Sequence, residues 1–253
     1  MTADDIALAH RLADAAGAVI APYFRADATV ETKSDASPVT AADRAAEAAM
    51  RAIVERERPD DGIVGEEYGP LRATSRRLWV FDPIDGTRAF IAGRPTFATL
   101  IALLEDGVPV LGVIDQCIAR DRWVGAVGQP TTLNGSIVRA RTCDGLAQAY
   151  LATTSPYLFD AAGAASFQRL RSAARDVLYG GDCHNYALVA TGCLDLVVES
   201  GLKLYDWAAL VPVVSGAGGI MCDWAGAPLR HGSDGRVVAA GDARVAADVL
   251  ARL

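Results

Sequence analysis

The sequence of 253 residues predicts a mixed fold, an α+β half followed by an α/β half, and three observations carry that prediction. Apolar residues recur at helical spacing in two N-terminal stretches. Runs rich in β-branched residues, separated by turn residues, fill the middle of the chain. From about residue 145, strand-like and helix-like segments alternate.

Taken in order, Ile6, Leu8, Leu12, Ala16, Val19, Ile20 and Phe24 line one face of an amphipathic helix over 4–24. Lys33-Ser34-Asp35-Ala36-Ser37-Pro38 reads as a loop or irregular strand, and 40–57 as an alanine-rich helix ended by Pro59. Ile63-Val64-Gly65 reads as a short strand with Glu66 and Glu67 at its exit. Residues 78–81 are bulky and apolar, as a buried strand requires, and Pro83, which has no N–H, is expected to end its pairing at Asp82. The runs 96–104, 108–116 and 122–127, separated by signals such as Glu105-Asp106-Gly107, form an antiparallel meander, and Asn134-Gly135 makes a hairpin turn. The later alternation runs through 149–153, 164–175, 176–179, 183–192, 194–199, 206–217, 219–224, 237–241 and 242–252. No low-complexity linker intervenes, so the halves 1–144 and 145–253 are expected to pack closely.

A hydrophobic content of 51% supports a sizeable core, and a net charge of −7 without any Lys/Arg block argues against nucleic acid or an anionic membrane as partner. An acidic substrate then needs a cation as intermediary. Met1-Thr2-Ala3-Asp4-Asp5 has no signal-peptide character, no apolar run approaches the ~18 residues of a membrane span, and a cytoplasmic location is expected. Cys117, Cys143, Cys183, Cys193 and Cys222 are widely spaced with no C-x-x-C pair, so reduced, mostly buried thiols are expected.

Chemistry is concentrated in Asp82-Pro83-Ile84-Asp85-Gly86-Thr87, where an apolar strand gives way to two carboxylates, a glycine and a hydroxyl. Glu66 and Asp206 also stand where elements end, Asp206 just ahead of the apolar helix 208–214. Carboxylates that meet in a cleft must share protons or bind cations, and oxygen-only ligands favour Mg²⁺ or Mn²⁺ over zinc. Taken singly, each acid also has an ordinary role. Asp206 suits a helix N-cap, Glu66 and Glu67 suit a solvated loop, Asp82 and Asp85 suit a turn, and Thr40-Ala41-Ala42-Asp43 suits a helix-opening box. Only the combination raises the functional reading.

That combination resembles the inositol monophosphatase family of Mg²⁺-dependent, lithium-sensitive phosphatases. Its Asp-Pro-Ile/Leu-Asp-Gly-Thr signature stands intact from Asp82 to Thr87. The resemblance continues through Lys33-Ser34-Asp35, Val39-Thr40-Ala41-Ala42-Asp43, Gly65-Glu66-Glu67, Asn134-Gly135, Gly181-Asp182-Cys183 and the stretch from Glu199 to Gly219. It implies a layered αβαβα sandwich with the site between the two halves. By resemblance, Glu66, Asp82 and the Ile84 carbonyl hold one metal, and Asp82, Asp85 and Asp206 hold a second. Glu66 also assists a third ion, for two or three Mg²⁺ in all, with Mn²⁺ as the alternative. Thr87, hydrogen-bonded to Asp43, orients and deprotonates the attacking water. The N–H groups of Gly86 and Thr87 cradle phosphate, while Gly181, Asp182, Cys183 and Glu199 join Ile84, Asp85 and Asp206 around the substrate. A homodimer is the family expectation.

Arg88-Ala89-Phe90 after the signature and Tyr205 before Asp206 are similar to the histidinol-phosphatase branch, which acts in histidine biosynthesis. An ammonium and an imidazole on the substrate call for acids in the pocket, and Asp182 and Glu199 would serve, while Glu199 equally suits sugar hydroxyls and Asp182 suits a cap for the helix that begins near Cys183. Inositol 1-phosphate, or a range of small phosphate esters, is the alternative. A phosphatase-like binding or regulatory protein is the rival from another class, and the complete set Asp43, Glu66, Asp82, Asp85, Thr87 and Asp206 argues against it.

Overall fold

The structure is a computed structural model that describes residues 1–26, 30–32 and 38–253. The Lys33-Ser34-Asp35 part of the resemblance lies outside the described residues. Helix α1 (Ala3–Ile20) runs into a short 3-10 turn, and the antiparallel strands β1 (Val30–Thr32) and β2 (Pro38–Thr40) lead into α2 (Ala41–Glu57). Capping boxes fix both helix starts. Asp5 reaches back to the Thr2 N–H at 2.6 Å, and Asp43 to the Thr40 N–H at 2.8 Å.

A seven-stranded sheet follows, built from β3 (Gly62–Gly65), β4 (Arg77–Asp85), β5 (Ala98–Glu105), β6 (Val108–Gln116), β7 (Asp121–Ala126), β8 (Thr132–Leu133) and β9 (Ser136–Ile137) in sequential order. Only β3 and β4 run parallel, and the rest form the expected meander. Asn134 (φ 50°) and Gly135 (φ 82°) make the β8–β9 turn in the left-handed region that such a hairpin demands. A short helix, α3 (Thr87–Ile91), leaves the end of β4.

The C-terminal part supplies β10 (Tyr150–Thr153), α4 (Ala161–Ala173), β11 (Asp176–Tyr179), α5 (His184–Ala190), β12 (Leu196–Glu199), α6 (Leu204–Trp207), α7 (Leu210–Gly216), β13 (Ile220–Cys222), β14 (Val237–Ala240) and α8 (Ala243–Leu250). Its sheet has the order β11-β10-β12-β14-β13, with β10 parallel to both neighbours and β14 antiparallel to both of its own.

Period-two alternation divides the core into three slabs. Trp79 and Phe81 of β4 face α1 and α2, where they meet Leu8, Leu12 and Met50. Leu78 and Val80 face the other way, toward Tyr186, Trp207 and Val213 of the middle helices and Val197 and Val237 of the second sheet. The far side of that sheet, Leu196 and Val238, packs on Phe167 and Leu170 of α4 and Val245 and Val249 of α8. The result is the layered αβαβα sandwich. Two glycines let the middle helices press onto the first sheet. A Cβ on Gly112 of β6 would sit 1.9 Å from the Ala209 carbonyl oxygen, and one on Gly125 of β7 would sit 2.3 Å from that of Pro212. This contact brings the segment carrying Asp206 toward β4.

The five cysteines are free thiols, with Cys193 exposed and Cys143, Cys183 and Cys222 buried. Among the described residues, no helix is long and apolar enough to cross a membrane.

Candidate active site

The site begins with an irregularity in β4. Pairing with β5 does not stop at Asp82 as the proline suggested. It skips Pro83 and Ile84 and resumes at Asp85, opposite Ala98, with the register shifted. A bulge accommodates the missing N–H of Pro83, and the Thr99 hydroxyl donates to the Pro83 carbonyl at 2.8 Å. Asp82 is buried, and the strand then turns through Gly86. Gly86 has φ 89°, and a Cβ there would lie 3.0 Å from the Thr96 carbonyl oxygen and 3.2 Å from Asp182 Oδ2. Glycine is required by both the dihedral and the space.

Two elements from the C-terminal part close over this corner. Asp206 is not the N-cap of the helix that follows it. It occupies the third position of α6, and its Oδ2 accepts the Lys203 N–H at 2.6 Å, which leaves the carboxyl at the site. The Cys183 N–H donates to Asp85 Oδ2 at 2.6 Å, where α5 begins. Asp182, at φ 47°, makes no capping bond with its side chain among the described residues and faces Gly86 instead. Gly181 (φ 107°) is confined by Asn185, whose Oδ1 would lie 2.3 Å from a Cβ.

Asp82, Asp85 and Asp206 bring carboxylate oxygens within 4.8 Å of one another. The charge of Glu66, beside Asp82, raises the proton affinity of both Asp82 and Asp206. Burial, reinforced by Glu66, Asp85 and Asp206, pushes Asp82 well above the usual carboxylate range. Burial, then Asp182 and Asp206, does the same to Asp85. Asp206 is pushed up to about 7, first by burial and then by Glu66 and Glu199. Burial and Glu199 lift Asp182 to about 6, against the opposing charge of Arg88. Glu199 is itself buried and raised by burial, although the Thr154 N–H (2.8 Å), the Thr154 hydroxyl (2.5 Å) and the Tyr186 hydroxyl (2.9 Å) all donate to it. A small cavity of about 20 Å³ between Asp85, Asp182, Tyr186, Glu199 and Asp206 joins these acids.

The donor set fits divalent metal ions. Every ligand is an oxygen, and among the described residues none of the groups acting most strongly on Asp82, Asp85 or Asp206 is a cation and the buried Asp82 Oδ1 has no hydrogen-bond partner.

One expected contact is not formed. The Thr87 hydroxyl donates to the Ile84 carbonyl at 3.1 Å rather than to Asp43. Asp43 Oδ2 is taken by the Thr40 N–H and hydroxyl, and the buried Asp43 Oδ1 has no partner among the described residues. Thr40, the last residue of β2, caps α2, and α3 lies against β2, so the two groups belong to adjoining elements. Burial raises Asp43 despite the Thr40 bonds. His184 packs edge-on to Trp123 at 5.7 Å, and Asn185 donates to the Gly180 carbonyl at 2.8 Å, so both serve the scaffold. Sequence reasoning passed over Thr154 and Tyr186, which hold Glu199, and Glu47, which holds the Glu66 loop.

An oxygen-only carboxylate cluster at a bulged strand end, roofed by a second α/β layer, suits a metal-dependent phosphatase. The chain belongs to the inositol monophosphatase family, whose profile matches residues 2–253. It is 47% identical to the chloroplastic bifunctional phosphatase IMPL2 of Arabidopsis thaliana over 98% of this chain and 74% of that protein. With the histidinol-phosphatase of Mycobacterium tuberculosis it shares 36% identity over 92% of each chain. It superposes on a structure of an inositol monophosphatase from Zymomonas mobilis with a TM-score of 0.92 and 57% identity, covering 100% of this chain and 99% of that one.

Proposed function

We propose that the protein hydrolyses L-histidinol phosphate to L-histidinol and phosphate with Mg²⁺, in histidine biosynthesis. The observation that carries the substrate assignment is the acid pair Asp182 and Glu199 beside the carboxylate cluster, a suitable partner for a substrate bearing an ammonium group. The similarity to the histidinol-phosphatase of M. tuberculosis over nearly the full length supports the same reading.

In this reading Glu66, Asp82 and the Ile84 carbonyl hold one ion, Asp82, Asp85 and Asp206 hold another, and Glu66 serves a third. When bound, such ions lower the pKa of a water and neutralise charge on the phosphate and the leaving oxygen. The N–H groups of Gly86 and Thr87, at the first turn of α3, bind phosphate oxygens. Thr87 Oγ1 turns its proton from the Ile84 carbonyl to Asp43 Oδ1, an acceptor without a partner among the described residues, and so frees that carbonyl for ligation. The hydroxyl is then oriented to accept a proton from the attacking water. The water oxygen bonds to phosphorus as its proton passes to Thr87 Oγ1 and the Thr87 proton to Asp43, the ester P–O bond breaks, and the departing alkoxide takes a proton from a solvent water. Gly181, Asp182, Cys183 and Glu199 shape the pocket for the alcohol.

A second reading, hydrolysis of inositol 1-phosphate, is favoured by the 57% identity to the Z. mobilis enzyme. A panel of L-histidinol phosphate, inositol 1-phosphate, fructose 1,6-bisphosphate and adenosine 3′,5′-bisphosphate decides between them. Histidinol phosphate is expected to give the highest kcat/KM, and an equal or higher value on inositol 1-phosphate overturns the assignment. The proposal includes a cytoplasmic homodimer and a division into halves 1–144 and 145–253. The drawing of the two sheets from 62–137 and 150–240 supports the latter.

A further inference from the structure

Helix α2 carries a second inward carboxylate one turn beyond Asp43. Glu47 is fully buried and lies outside the cluster described above. Its Oε2 accepts the Glu67 N–H at 2.7 Å, and its Oε1 accepts the Tyr68 N–H at 3.2 Å and Arg51 Nε at 2.7 Å. Arg51 Nη2 donates in turn to the carbonyls of Tyr68 (3.0 Å) and Gly69 (2.8 Å), and its guanidinium lies 5.6 Å from the Tyr68 ring centroid. One ion pair on a helix thus takes up backbone donors and acceptors of the three residues that follow Glu66.

The residue before Glu66 is fixed by the same carboxylate. A Cβ on Gly65 would fall 2.0 Å from Glu47 Oε1, so the glycine leaves the space that the carboxylate occupies. Gly65 pairs with Phe81 across β3 and β4, and the Glu66 N–H donates to the Phe81 carbonyl at 3.2 Å. Glu66 therefore sits between a strand end and an ion pair, each built on a regular element. A loop carboxylate otherwise loses conformational freedom on ligating a metal, and a preformed loop has lost it already on folding.

We infer that the Glu47–Arg51 pair is the positioning device for Glu66 and sets the affinity of the site for its divalent ion without touching ion or substrate. The inference rests on the reading of Glu66 as a metal ligand. The test is calorimetric titration of the metal-stripped full-length protein with Mg²⁺, with Mg²⁺ activation curves alongside, for wild type, Glu47→Gln, Arg51→Lys, Glu66→Gln and the double variant Glu47→Gln/Glu66→Gln. Glutamine presents an NH₂ where Glu67 or Tyr68 also presents an N–H, and lysine cannot reproduce the guanidinium fork.

Both clamp variants are expected to weaken Mg²⁺ binding by about 10-fold or more, the range in which partners of metal ligands act. The loss should appear in the activation constant for Mg²⁺ more than in kcat at saturating Mg²⁺. In the Glu66→Gln background, Glu47→Gln should add little, because it acts through Glu66. Unchanged Mg²⁺ affinity in Glu66→Gln defeats the ligand assignment of Glu66 itself. If Glu66→Gln weakens binding while Glu47→Gln and Arg51→Lys bind Mg²⁺ as wild type does, the positioning role is wrong and the ligand assignment stands. Should Glu47→Gln not fold, Arg51→Lys carries the same expectation.

Discussion

Replacing Asp82 by asparagine should abolish Mg²⁺-dependent phosphate release and, in the same molecule, stabilise the metal-free fold. Oxygens of Asp82, Asp85 and Asp206 lie within 4.8 Å of one another, and at an effective dielectric constant of ~20 each fully ionised pair at that separation repels by about 3.5 kcal/mol. Shared protons relieve part of this, so the expected gain is about 1–3 kcal/mol, or a rise in Tm of roughly 2–10 °C for a chain of this size. The asparagine amide also gives neighbouring carboxylates a donor.

The sign of the pH dependence follows from the native proton affinity of Asp82, which lies well above its unfolded value of 3.8. The folded state holds the proton that the unfolded state has lost, so stability falls as pH rises from about 4 through the raised native value. The advantage of the variant should therefore vanish near pH 4 and grow as pH rises above it. Thermal scans of EDTA-treated wild type and variant across that range measure it, and addition of Mg²⁺ should reverse the order by stabilising wild type alone. A variant that melts below wild type at pH 8 without metal, or that still turns over, refutes the electrostatic account.

Two further outcomes are expected. Mg²⁺ binding should release protons near pH 6.5 and tighten as pH rises toward 8, because Asp206, with its native value near 7, must give up its proton; titrations in buffers of different ionisation enthalpy measure the release. Gly112→Ala should destabilise the fold by at least about 3 kcal/mol in urea unfolding, at the upper end of overpacking costs, because its Cβ would meet the Ala209 carbonyl at 1.9 Å. The same variant should weaken Mg²⁺ binding by displacing the segment that carries Asp206.

The layers were legible where periodicity was long. The meander β5–β7 and both N-terminal helices follow from their apolar spacing, and the alternation after residue 145 corresponds to β10 through α8. What escaped the sequence was local geometry. Pro83 remains inside β4 because a bulge removes the need for its missing N–H and the Thr99 hydroxyl satisfies its carbonyl, and neither is visible in a linear pattern. Asp206 is internal to α6 because that helix spans only Leu204–Trp207, too short for any period to reveal. Thr87 turns to Ile84, a choice between two acceptors that spacing does not rank. Glu47 sits in an alanine-rich helix with many acids and bases, where an inward charge looks like a solvated one until its partners in the 67–69 loop are known. Its one sequence signal was the spacing to Arg51, one helical turn on.

The bond from the Cys183 N–H to Asp85 joins residues 98 positions apart, and it has a kinetic consequence. The acids of β4 come together with Asp182, just ahead of α5, and Asp206 of α6 only after the chain has closed loops of that length. Their mutual repulsion is thus expected to enter late in folding, once the apolar slabs have drawn the two sheets into place. A divalent ion that needs both sides of the corner has nothing complete to bind before that point. Mg²⁺ should leave the early collapse untouched and act mainly on unfolding, holding shut a corner that metal-free protein opens more readily.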